Sequence, residues 1–186
     1  MTLLQVTFAS TNHNKYREVQ SILSAHGIAV DFAQAELVEI QSDSLVEIAK
    51  EKARSAFAKI GRPVIVEDDG LFIDALNGFP GQYSSHAFKT LGNAGILKLL
   101  AGSASRSASF RSLIAFYDGK NLSISEGRVD GRISEIMTEG GWGYDPIFVP
   151  AGTNLTFGEL RDKKNEYSHR KRALEKFALW YPTAIT

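Results

Sequence analysis

The chain has 186 residues, 44% of them hydrophobic and 23% charged, which suits one globular domain and excludes wholesale disorder. Its 21 Lys and Arg balance 21 Asp and Glu, which excludes a strongly basic coat for nucleic acid, although a local basic pocket can hide inside a neutral total. Cysteine is absent, so there is no disulfide framework, no thiolate zinc site and no cysteine nucleophile. No apolar run approaches the ~18 residues of a membrane span. The start, Leu3-Leu4-Gln5-Val6-Thr7-Phe8, shows neither a charged leader nor a small-residue cleavage site. These features predict a cytoplasmic protein with a single domain over residues 1–186, and with neither a membrane nor a nucleic acid polymer as partner.

Residues 3–9 predict a buried strand that stops at a polar loop, Ser10-Thr11-Asn12-His13-Asn14. A helix follows, with Val19, Ile22, Leu23 and His26 at helical spacing and Gly27 as its stop. Residues 28–32 predict a second strand. Ser44-Leu45-Val46-Glu47 has the form of a capping box and opens a helix with Leu45, Ile48, Ala49, Ala53, Ala56, Phe57 and Ile60 on its apolar side, ended by Gly61. A short strand over 63–66 then runs into acidic Glu67-Asp68-Asp69, followed by Gly70 and a second apolar run, Leu71-Phe72-Ile73. Gly78-Phe79-Pro80-Gly81 marks a tight loop, and residues 96–100 fall in a helix ended by Gly102. Residues 108–117 and 122–129 flank Asp118-Gly119 as a β-hairpin. A glycine-rich loop, Gly140-Gly141-Trp142-Gly143-Tyr144-Asp145-Pro146, leads into a strand at 147–149, and a helix over about 168–179 closes the chain. The alternation predicts an α/β fold on a mixed sheet, with its polar constellations at strand ends and in loops.

Those loops carry the chemistry. Ser10-Thr11-Asn12-His13-Asn14-Lys15 joins a strand end, small hydroxyl residues, a helix start and an ammonium, a set that suits a phosphate as well as it suits a plain helix cap. Glu67, Asp68 and Asp69 place three like charges side by side, which is costly, and a divalent cation such as Mg²⁺ relieves that repulsion; the alternative is an acidic surface turn. Glu39 is a further candidate carboxylate, and Lys52 lies on the second helix. Trp142, Tyr144 and Asp145 offer an aromatic face and a hydrogen-bonding carboxylate, as a purine requires, or else a loop whose aromatics pack into the core. Lys163, Lys164, His169 and Arg170 cluster cations around the start of the last helix, where they oppose the helix dipole and so favour an anionic ligand, the alternative being a plain cap at Ser168. Together these groups make the inventory of a nucleoside triphosphate site.

Four separated motifs, in order, carry a family resemblance nearly end to end. They are Ser10-Thr11-Asn12-His13-Asn14-Lys15; Asp68-Asp69-Gly70-Leu71 with Phe79-Pro80-Gly81-Gln82-Tyr83-Ser84; Trp142-Gly143-Tyr144-Asp145-Pro146-Ile147-Phe148; and Lys164 with Ser168-His169-Arg170. On them the chain resembles the inosine/xanthosine triphosphate pyrophosphatases, which remove deaminated purine nucleotides. The resemblance implies a mixed, elongated central sheet with flanking helices, in two lobes around a cleft that holds the site. It implies a homodimer that hydrolyses ITP, dITP and XTP to the monophosphate and pyrophosphate with Mg²⁺.

Carried over by motif, Ser10, Thr11, Asn12, His13, Asn14 and Lys15 bind the triphosphate and Lys52 faces it. Glu39 and Asp68 serve the metal, and Asp68, alone or with Glu67, takes the proton from water. Trp142, Gly143, Tyr144, Asp145, Lys164, His169 and Arg170 hold the base and the rest of the nucleotide. Asp69 stands where the family usually has Ser or Thr, and Trp142 where it usually has Phe. The competing readings are a broader pyrophosphatase like the Maf-type proteins and a nucleotide-binding module without catalysis.

Overall fold

A computed structural model describes residues 4–184. The strands are β1 (Leu4–Ser10), β2 (Ile28–Gln34), β3 (Val64–Ile73), β4 (Pro80–Gly81), β5 (Ser107–Tyr117), β6 (Leu122–Ile133) and β7 (Phe148–Pro150). The helices are α1 (His13–Ser24), α2 (Leu45–Ile60), α3 (Ser84–Leu99), α4 (Phe157–Leu160), α5 (Lys164–Tyr167) and α6 (His169–Ala184). Leu3, expected to begin the first strand, lies outside the described residues. The seven strands form one sheet in the order β2-β1-β3-β5-β6-β7, with β4 beside β3. β1 runs parallel to β2 and β3, whereas β3 with β4 and β6 with β7 are antiparallel, so the sheet is mixed as expected. Among the described residues no helix is long and apolar enough to cross a membrane.

The chain divides into two compact units. One comprises Met1–Asp68, Ser112–Gly127 and Arg170–Thr186, the other Asp69–Arg111 and Arg128–His169. In the first unit, α1 starts because the Asn12 side chain caps it, accepting from the N–H groups of Asn14 and Lys15, and it buries Val19, Ile22 and Leu23. α2 buries Leu45, Ile48, Ala49, Ala53 and Ala56 and stops at left-handed Gly61. The core gathers Phe8, Leu23, Ile65, Phe116, Phe177 and Tyr181. In the second unit, Leu71, Ile96, Phe110, Ile133, Phe148 and Phe157 form a separate core. Each such large apolar side chain contributes about 1.5–3 kcal/mol on burial, so either core is large enough to fix its own elements.

Four local expectations change. The acidic stretch is not a turn: β3 continues through Glu67–Gly70, because Leu71 and Ile73 remain buried in the same strand that buries Val64, Ile65 and Val66. The box at Ser44 forms only in half. Ser44 Oγ accepts from Glu47 N–H at 3.4 Å, while Ser44 N–H donates to Ser42 Oγ and the Glu47 carboxylate accepts from Lys50. The complete capping box is Thr156 with Glu159 at α4. The third helix, Ser84–Leu99, holds residues 96–99 but leaves Leu100 as its cap, and the last one continues past Leu179 to Ala184.

Candidate active site

The first unit assembles its charges around the middle of β3. Side chains alternate across a strand, so Glu67 and Asp68 leave β3 on opposite faces and meet different partners. Glu67 is fully buried and its oxygens accept from Arg170 Nε at 2.8 and 2.9 Å and from Ser112 Oγ at 2.6 Å. Lys15 Nζ lies 3.6 Å from the same carboxylate. Arg170 is itself buried at 1% exposure, and its Nη1 also donates to Glu18. The cations at the start of α6 are therefore not held in place only for an external anion: Arg170 answers two internal carboxylates, which offset the cost of removing its charge from water.

Asp68 belongs to a second group. Lys52 Nζ donates to Glu39 Oε1 at 2.6 Å and lies 3.8 Å from Asp68 Oδ2, so one ammonium draws two carboxylates from separate elements toward a single point. The polar loop after β1 behaves first as a cap. Asn12 N–H donates to Ser10 Oγ at 3.0 Å, and Asn12 Oδ1 accepts from Asn14 and Lys15 N–H at 2.9 and 3.2 Å. The His13 ring packs on Phe32 with centroids 4.9 Å apart, and Thr11 is exposed in the bend between strand and helix.

The second unit carries another constellation. Lys164 Nζ donates to Asp145 Oδ2 at 2.8 Å and stands 5.1 Å from the centroid of the Trp142 ring and 5.5 Å from that of Phe157. Asp145 Oδ2 also accepts from Trp142 N–H at 3.0 Å, which closes the loop on itself. A Cβ at Gly141 would fall 2.4 Å from Asp145 Cβ, so this closure requires glycine. His169 stacks flat on Phe110, centroids 4.5 Å apart at 8°, with its Nε2 4.0 Å from Asp69 Oδ2. Tyr144 does not present its face to a ligand. It is buried, its hydroxyl donates to Ser84 O at 3.0 Å, and burial pushes the phenol up to about 12. The core-packing alternative thus holds for Tyr144, while Trp142, Asp145 and Lys164 are brought together.

The oxygen donors available to a metal are few. Among the described residues no group of three or more His, Asp and Glu could hold an ion. Glu39 and Asp68, which already share a cation, make a pair of hard ligands of the kind Mg²⁺ accepts when phosphate oxygens complete its shell.

A sequence model of the Ham1 family matches residues 6–180. The chain belongs to the Ham1 family. It is 49% identical to the dITP/XTP pyrophosphatase of Methanopyrus kandleri over 98% of each chain. It is 46% identical to that of Korarchaeum cryptofilum over 91% of each. Among solved structures, the HAM1 protein of Coxiella burnetii matches with a TM-score of 0.84 at 32% identity, covering 97% of this chain and 99% of that one. The resemblance read from the four motifs is thus correct, and so is the α/β fold that it implied.

Within this Ham1 chain, sequence reasoning passed over Glu18, Ser112, Phe110 and Phe157. Glu18 had a signal, since it falls three residues after Lys15 and so on the same face of α1. Ser112 and the two phenylalanines had none. They read as ordinary strand and core positions until their neighbours are known.

Proposed function

We propose that this chain hydrolyses deaminated purine nucleoside triphosphates, ITP, dITP and XTP, to the monophosphate and pyrophosphate. The observation that carries the reading is the convergence of Glu39 and Asp68 on Lys52, with Lys15 directed to the same strand from α1. The names of the Methanopyrus and Korarchaeum relatives support the substrate class.

Pyrophosphate is released when water attacks the α-phosphorus and the bond from that phosphorus to the oxygen bridging to the β-phosphate breaks. Asp68 accepts the proton of the attacking water as general base. Glu67 does not share that task, because its oxygens are engaged by Arg170 and Ser112. It fixes Arg170 and Lys15 instead. Lys15 and Lys52 neutralise phosphate oxygens, in the positioning-plus-electrostatics manner of phosphoryl transfer. Glu39 and Asp68 are the residues to hold Mg²⁺, which when bound withdraws charge from the phosphates and stabilises the leaving pyrophosphate. In the second unit Trp142 stacks on the base, and Lys164 with Asp145 orients it. His169 or a backbone N–H of the 140–146 loop supplies the donor that a 6-keto purine accepts and the 6-amino group of adenine does not. The enzyme acts on free nucleotides as a single catalytic domain, in the cytoplasm and as a homodimer.

The test is a panel of ITP, XTP, GTP, ATP and dTTP with Mg²⁺, with pyrophosphate and orthophosphate assayed separately. Pyrophosphate mainly from ITP and XTP is the expected result. Orthophosphate would mean attack at the γ-phosphorus, and release from dTTP would favour the Maf-like activity. Binding of ITP without turnover would leave a binding module.

A further inference from the structure

α3 is broken at Gly92, whose φ of 62° and ψ of −173° lie outside the helical region and suit a residue without Cβ. Just before the break, Thr90 Oγ1 donates back to His86 O and Ala87 O, a bond that bends helices. Past the break, Asn93 Nδ2 donates to the carbonyl of Gly143 at 3.0 Å, across fifty residues of chain. Asn93 Oδ1 is buried and has no hydrogen-bond partner among the described residues. A buried acceptor left unmade costs stability, so an amide is a poor choice here for stability alone. What it supplies is the donor to Gly143.

The same helix also grips the next residue of that loop. Tyr144 donates its hydroxyl to Ser84 O, and its ring meets Phe88 edge-on at 5.2 Å. Ser84 is itself fixed, donating its Oγ to Gly81 O and accepting from Leu71 N–H. Two successive loop residues, Gly143 and Tyr144, are thus tied to α3 and stand between Trp142 and Asp145. All of these groups belong to the second unit.

We propose that Asn93 is a positioning residue for purine selection: by holding the Gly143 carbonyl it sets the angle at which Trp142 and Asp145 meet the base. The inference rests on the reading of that loop as the purine site. Asn93 touches no substrate and acts through the loop.

The experiment compares Asn93→Ala and the same-sized Asn93→Asp with Lys89→Ala, an exposed control on α3. Kinetics on ITP and XTP are measured in the wild-type background. Trp142 emission and its quenching by acrylamide, without nucleotide, are measured in a Trp180→Phe background, where Trp142 is the remaining tryptophan. Losing one neutral hydrogen bond should raise KM about five- to tenfold in both Asn93 variants, with kcat within about twofold. Their Trp142 emission should shift and its quenching rise, and Lys89→Ala should change nothing. An unchanged KM with unchanged emission overturns the proposal, as does a fall in kcat at constant KM. If Asn93→Ala does not fold, Asn93→Asp decides. If neither folds, Asn93 supports the whole unit and the positioning role is wrong. Should the wild-type protein cleave neither ITP nor XTP, the purine reading fails, yet the Trp142 emission still reports whether Asn93 orders the loop.

Discussion

Adjacent carboxylates in β3 have opposite fates, and the difference can be measured. Glu67 is buried against Arg170, Ser112 and Lys15, whereas Asp68 meets Lys52, which it shares with exposed Glu39. Glu67→Gln removes the charge that compensates a buried guanidinium, leaving Glu18 to do so alone. That change should cost about 3 kcal/mol and lower the thermal midpoint by roughly 6–12 °C for a chain of this size, as read by circular dichroism. Asp68→Asn should leave the thermal midpoint nearly where it was and reduce kcat about 10²- to 10⁴-fold, as loss of a general base does. A similar loss of stability in both variants would mean that Asp68 too is structural. The acidic run was legible in the sequence as a set of adjacent carboxylates. Its division was not, because alternation places the two carboxylates on opposite faces only once the strand is known to continue through them.

Among the elements, α4 shows how a short helix is fixed by its cap. Thr156 Oγ1 accepts from Glu159 N–H, the Glu159 carboxylate accepts from Thr156 N–H, and Thr138 Oγ1 shares a 2.6 Å hydrogen bond with the Thr156 hydroxyl. Thr156→Ala removes the cap and one of the two partners of the Thr138 hydroxyl, which keeps its bond to Pro146 O, so it should cost about 1–2 kcal/mol in chemical denaturation. Ser44→Ala, at the half-formed box of α2, should cost less, because its bond to Glu47 N–H is long at 3.4 Å. Equal costs would show that cap geometry does not decide. The same four-residue pattern, Ser or Thr followed three positions on by Glu, occurs at both helices. The sequence reading named Ser44 before the long apolar helix and did not name Thr156. The neighbouring Ser42 and Lys50 side chains divert the partners at α2, and those contacts have no sequence signature. The hairpin around Asp118 was legible for the opposite reason: Asp118 accepts from Lys120 and Asn121 N–H within its own turn, so the bond that sets it is local.

For the molecule as a whole, both units contain a buried phenol that makes the fold sensitive to alkali. Desolvation raises Tyr144 to about 12 in the second unit, and desolvation together with the charge of Asp118 raises Tyr181 in the first. A raised folded pKa means that the native state keeps its proton while the unfolded chain loses it. The stabilisation is therefore complete below pH 10 and is lost as pH rises toward about 12, on the order of 2 kcal/mol for Tyr144. Alkaline unfolding followed by tyrosinate absorbance should show this loss. Tyr144→Phe should shift the transition to higher pH, although at neutral pH it forfeits the hydrogen bond to Ser84 O, worth about 1 kcal/mol. On the acid side, burial pushes Asp118 up, but the N–H groups of Asn121 and Lys120 outweigh it and hold the carboxyl below 3.8. Its contribution is present above that value and is lost as pH falls below it.

The sequence by itself determined the α/β class, most helix and strand positions, the hairpin and the membership of the Ham1 family. Hydrophobic period, caps and turn residues act over a few positions, and the four motifs keep their order along the chain. Residue chemistry and the family resemblance together also named Glu39, Lys52, Asp68, Trp142, Asp145 and Lys164 as candidate site residues. Only the tertiary structure decided how those charges pair. Lys52 joins carboxylates thirteen and sixteen residues away, Arg170 is satisfied by Glu67 across 103 residues, and Asn93 reaches Gly143 across fifty. Such pairs are selected by the sheet order and by the desolvation of buried charge, and no local pattern records either.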